Sequence, residues 1–131
     1  MPTLFTRIID GELPAEFVWK DDACVAFLSI QPLSPGHTLV VPRVEIDEWI
    51  DCPDELRDEL MRVAQQVGRA IKKAFDPARV GLIIAGFEVP HLHLHVFGVN
   101  GLGDFDFRQA RSATDGELGA AGARLRAALG T

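Results

Sequence analysis

The chain has 131 residues, 47% apolar side chains and a net charge of −6, which suits one globular domain with one hydrophobic core. The acidic balance weighs against a nucleic-acid binder, although backbone N–H groups and a few imidazoles can still hold one small anion. No apolar run approaches the ~20 residues of a membrane span, and Arg7, Asp10 and Glu12 interrupt the segment where a signal peptide would be apolar.

The first element, within residues 1–12, mixes apolar and polar side chains and breaks at Gly11. Residues 17–20 (FVWK) and 24–30 (CVAFLSI) are β-rich runs joined by Asp21-Asp22, which predicts a hairpin. Ser34-Pro35-Gly36 is a turn signal, and residues 37–43 (HTLVVPR) read as the next strand, ended by Pro42. Residues 53–75 carry the clearest helical pattern. Leu56, Leu60, Val63, Val67, Ile71 and Phe75 recur at spacings of three and four, with Pro53 placed for the first position and Asp54 and Glu55 at the positive end of the dipole. Asp76-Pro77 ends the helix.

Residues 79–89 and 91–99 read as two further strands separated by Pro90. Residues 100–113 form a loop, and 114–129 have helical composition weakened by Gly116, Gly119 and Gly122. The predicted fold is α+β, with a five-stranded antiparallel sheet, one long helix and a C-terminal helix. The whole chain, 1–131, reads as one domain whose 101–131 segment is loop plus helix. Cys24 and Cys52 stand alone, with no C-x-x-C pair, which points to a reducing, cytoplasmic compartment.

Three of the four histidines alternate in HLHLHVF (91–97), and the fourth, His37, lies in PGHTLVVP (35–42). In a strand His91, His93 and His95 share one face and Leu92, Leu94 and Val96 the other. The leucine face belongs in the core, so the histidine face is expected to be open or lined by something that uses imidazoles. The outer two histidines are about 13 Å apart along a strand and do not chelate one ion; His37 with two of the others would be needed for a metal site. Histidines tolerated on a sheet surface are a second reading. The third is catalysis, in which one imidazole is the nucleophile while its neighbours orient it, donate protons and bind a phosphate.

The run His91-Leu92-His93-Leu94-His95-Val96-Phe97 resembles the His-φ-His-φ-His-φ-φ signature of the histidine triad (HIT) superfamily, φ being apolar. PGHTLVVPR resembles that family's second hallmark, and the likeness extends from about Leu4 to Phe107. The resemblance implies the HIT fold and a nucleotide hydrolase or transferase of the Hint-like, purine phosphoramidate type. Alternatives are a diadenosine polyphosphate hydrolase or a nucleotide-binding sensor with little turnover. It implies that His93 attacks the α-phosphorus to form a nucleotidyl-histidine, that His95 and His37 bind and polarise the phosphate, and that His91 orients the nucleophile. Leu4, Phe5, Phe27 and Ile30 fall where the base is held, and Ser29 where relatives grip the ribose with Asp. No cofactor and no catalytic metal are implied, and a homodimer is expected, with Trp49 and the main helix available for contacts.

Besides Ser29, two departures from the family pattern stand out, and an acidic cluster bears on the choice of substrate. Thr3 and Thr6 replace a Cys-x-x-Cys that helps bind structural zinc in many bacterial relatives, so no such zinc is expected. Phe87 stands at a Gln position after a shortened loop, and Glu88 either points toward the pocket or faces solvent at a strand edge. The acidic cluster Glu45, Asp47, Glu48, Asp51 and Asp54 would repel a polyphosphate if it lined the groove; as a solvated surface it has no such effect.

Overall fold

A computed structural model describes all residues, 1–131. Helix α1 (Leu4–Ile9) leads into strands β1 (Phe17–Lys20), β2 (Cys24–Leu28) and β3 (Thr38–Pro42). Helix α2 (Asp54–Phe75), strands β4 (Arg79–Ile83) and β5 (Leu94–Val99) and helix α3 (Asp115–Leu129) follow. The five strands form one sheet in the order β1-β2-β3-β5-β4, antiparallel throughout, and β1–β2 is the predicted hairpin.

Alternation divides the sheet into two faces. One carries Val18, Ala26, Val40, Leu94 and Val96, which pack against the α2 stripe of Leu60, Val63, Val67 and Ile71 and against Leu125 of α3. Each large side chain buried there contributes about 1.5–3 kcal/mol. The other face carries Val25, Phe27, Leu39 and Val41, covered by Phe5 of α1.

The helix ends follow local chemistry. Pro53 stands at the N-cap of α2 and not at its first helical position, and Asp76 ends the helix in the left-handed conformation at φ 51°. Thr114 and Glu117 make a reciprocal capping box that starts α3 despite its glycines. Gly36, at φ +85°, closes the turn that delivers His37 to the start of β3, a conformation that favours glycine. Arg126 of α3 donates to the carbonyl of Phe17, and the hydroxyl of Thr131, just past the helix, donates to that of Val18, each at 2.9 Å along the β1 edge.

Two expected strands are shorter than the apolar runs. β4 stops at Ile83 because the chain turns away at Gly86, φ 81°, before Pro90. β5 begins at Leu94, so His91 and His93 precede the regular ladder. Continued pairing would set Leu92 opposite Pro42, which has no N–H to offer.

Candidate active site

The four histidines converge, and all are buried, with 0–6% of their surface exposed. Of the two expectations for the histidine face, open or lined, it is not open: aromatic side chains from distant segments cover it. Phe5 meets the His93 ring edge-on at 4.9 Å and the His91 ring at 5.7 Å. Phe107, from the segment between β5 and α3, tilts over His95 at 4.8 Å, and Phe97 lies 5.0 Å from His37. That segment is seated by Phe105, whose ring lies where Gly81 of β4 has no side chain; a Cβ there would come within 2.5 Å of it.

Hydrogen bonding assigns the protons on these rings. The amide N–H of Leu33 donates to His37 Nδ1 at 3.0 Å, so neutral His37 carries its proton on Nε2. That N–H donates to His95 Nδ1 at 3.0 Å, which puts the His95 proton on Nε2. His93 Nδ1 lies 2.7 Å from the carbonyl of His91, which only accepts, so Nδ1 carries the proton and Nε2 keeps a bare lone pair. The same logic makes His91 Nε2 the donor to the carbonyl of Pro42 at 2.7 Å.

Burial favours the neutral form of His37, His93 and His95. It pushes His37 down to about 4, and His95 down to about 3 with further help from the neighbouring His37 and His93. Burial also lowers His93, opposed by its bond to the His91 carbonyl and by the Glu88 carboxylate. A neutral imidazole with a free Nε2 lies 5.0 Å, ring to ring, from a neutral imidazole presenting Nε2–H. The pair can offer an electron pair and a hydrogen bond to adjacent atoms of one ligand.

Both rings line a cleft of about 350 Å³ together with Leu4, Phe5, Phe27, Ser29 and Ile30. Leu4 and Ile30 form its exposed rim, and Phe5 and Phe27 its buried wall, edge-on at 5.6 Å. His37 and His91 stand behind this cleft, His37 reaching it through His95. Ile8 also lines it, one helical turn beyond Leu4, a spacing already present in the first element. Phe107 carried no comparable local signal. Glu88 stands at the cleft rim, and Phe87 projects into solvent at 96% exposure.

No three His, Cys, Asp or Glu side chains converge as metal ligands. His37 Nε2 and His95 Nδ1 are bonded to each other, which engages two of the nitrogens that a metal site of His37 with two other histidines would need. Thr3 and Thr6 also do not fit zinc. Their hydroxyls are poor donors to that ion and are engaged with Glu45 and His91.

A sheet of this topology with alternating histidines beside an apolar cleft defines a histidine-triad protein. The HIT domain profile matches residues 10–101, and the chain belongs to the HIT family. It is 33% identical to Protein hit of Bacillus subtilis over 106 residues, 77% of this chain and 73% of that one. Among solved structures, a hypothetical histidine triad nucleotide-binding protein from Sulfolobus tokodaii superposes with TM-score 0.85 at 25% identity, covering 96% of this chain and 91% of that one. A zinc-bound histidine triad family protein from Mycobacterium smegmatis superposes with TM-score 0.82 at 28% identity, covering 97% and 92%.

Proposed function

We propose that residues 1–131 act as one HIT domain that hydrolyses or transfers nucleoside 5′-monophosphate groups, of the Hint-like purine phosphoramidate type. The observation that carries this reading is the proton assignment: a bare His93 Nε2 beside a His95 Nε2–H, at one cleft of nucleotide size. The description of the Sulfolobus tokodaii protein as nucleotide-binding supports it.

His93 Nε2 attacks the α-phosphorus, and the leaving group departs with the electron pair of its bond. Water then opens the nucleotidyl-histidine, releases the monophosphate and regenerates the imidazole. His95 Nε2–H polarises a phosphate oxygen, and His37 holds His95 in the tautomer that donates. His91 supplies the carbonyl that orients the nucleophile. Leu4, Phe5, Phe27 and Ile30 grip a purine, and Ser29 offers a single hydroxyl to the ribose. The route runs on imidazoles without a metal or cofactor.

A second copy of the chain is the expected partner. The β4 edge bears exposed Leu82, and exposed Trp49, Met61 and Ile84 border an apolar hollow next to it. Two unbridged cysteines fit a cytoplasmic setting. No helix is long and apolar enough to cross a membrane.

The test is AMP release from an adenosine 5′-phosphoramidate and from a diadenosine polyphosphate, by wild type and His93→Ala, with and without chelator. Chelator-resistant turnover of the phosphoramidate that vanishes in His93→Ala is the expected result. His93→Ala retaining more than a few per cent of the rate would sink the nucleophile assignment. Preference for the dinucleotide would replace the substrate class, and turnover of neither with AMP still bound would leave a sensor.

A further inference from the structure

His91 and His93 precede the β5 ladder, so cross-strand pairing does not position the carbonyl of His91 that holds the nucleophile. Other bonds must place it. Leu92 N–H donates to the carbonyl of Ile46 at 2.6 Å, and the His91 ring is held at both nitrogens. Nε2 donates to Pro42, as above; Nδ1 lies 2.6 Å from Thr3 Oγ1.

Behind Thr3 the hydrogen bonds continue to the surface. Thr6 Oγ1 donates to Glu45 Oε1 at 2.6 Å, and the Thr3 amide N–H donates to the same oxygen at 2.8 Å. Thr6 N–H donates to Thr3 Oγ1 at 3.1 Å, which makes Thr3 the N-cap of α1. Thr6 has only one hydroxyl proton and spends it on Glu45. Thr3 then has one proton and two acceptors, Thr6 Oγ1 at 3.2 Å and His91 Nδ1 at 2.6 Å. The shorter contact takes it, and His91 Nδ1 is left as the acceptor. These bonds join segments 88 and 42 residues apart in sequence.

We infer that Thr3, Thr6 and Glu45 are positioning residues for the reaction: a hydrogen-bond relay that fixes the His91 ring and, through its carbonyl, the tautomer and direction of the His93 ring. Glu45 is thus the member of the acidic cluster that bonds to α1, through the Thr3 amide and the Thr6 hydroxyl. Its carboxyl is held below the usual range first by the Thr6 hydroxyl and then by the Thr3 amide. A plain structural staple would also tie α1 to the loop after β3. It would not set the proton position on a ring that none of the three residues touches.

The inference rests on His93 being the nucleophile, so its test carries a readout that needs no turnover. Thr3→Val, Thr3→Ser and Glu45→Ala are compared with wild type in two measurements. One is the long-range ¹H–¹⁵N spectrum of the imidazoles; the other is steady-state kinetics on the phosphoramidate. Wild-type His93 is expected as a single Nδ1–H tautomer, and Thr3→Val and Glu45→Ala as tautomer mixtures. Their kcat is expected to fall about 10–100-fold with KM within roughly threefold, as for a misdirected reacting group, and Thr3→Ser is expected to restore both. Glu45→Ala keeps the α1 N-cap, so it answers the question if Thr3→Val does not fold. An unchanged His93 tautomer in Glu45→Ala overturns the relay. A wild type with the expected tautomer and no turnover overturns the reaction instead, and leaves the relay standing.

Discussion

Acid should destabilise this protein well above the range in which its carboxylates titrate. In the unfolded chain His37 and His95 take up protons near the ordinary histidine value of about 6.5. In the folded chain they do so only at about 4 and about 3. Between those limits the unfolded state binds more protons, so stability falls as pH falls. From about pH 7 to about pH 5 each of the two contributes a loss of about 2 kcal/mol, or ~4 kcal/mol together. That is a large share of a typical total of about 5–15 kcal/mol. Its main cause is burial of the two rings; in addition, a proton on His37 Nδ1 must displace the Leu33 amide, and a proton on His95 Nδ1 must displace the His37 N–H. Urea unfolding at the two pH values measures the loss. The midpoint should fall by roughly 2 M at pH 5, taking a slope of about 2 kcal/mol per M. A midpoint that held steady or rose would refute neutral burial of the pair.

Other perturbations have distinct outcomes. Phe5→Ala removes a buried ring that covers His91, His93 and Phe27. It should cost about 3–5 kcal/mol in urea unfolding and weaken AMP binding measured by calorimetry. Gly81→Ala drives a Cβ to within 2.5 Å of the Phe105 ring. A loss of about 1–3 kcal/mol is expected, and the His95 imidazole signals should shift as Phe107 moves; unchanged signals would mean the two rings are not mechanically joined. Thr114→Ala breaks the capping box of α3 and should lower stability by about 1 kcal/mol without changing kcat.

The fold was largely legible because its signals are local. The β1–β2 hairpin, the α2 stripe and the histidine–leucine alternation each lie within one short segment, and each reappears in the structure. The strand ends were not legible in the same way. The apolar run 79–89 continues past Ile83, but Gly86 turns it aside, and the ladder of β5 is cut short by a proline on a different strand. The cleft residues Leu4, Phe5, Phe27, Ser29 and Ile30 were reached through family resemblance, not periodicity. Burial of the triad depends on Phe5 and Phe107, which come from opposite ends of the chain. Glu45 looked like one charge among five, because its partners Thr3 and Thr6 lie about 40 residues away and form no spacing pattern with it.

The two edges of the sheet differ in a way that bears on assembly. Along β1 the outward carbonyls of Phe17 and Val18 already accept from Arg126 and Thr131. β4, at the other end of the strand order, is the edge left for a further strand. A sheet that can lengthen in only one direction stops at two copies, since pairing β4 with β4 uses the growing end of both partners and returns a closed two-fold object. Arg126 of α3 and Thr131 just beyond it thereby act as a terminator on the β1 side, and any added strand must join at β4.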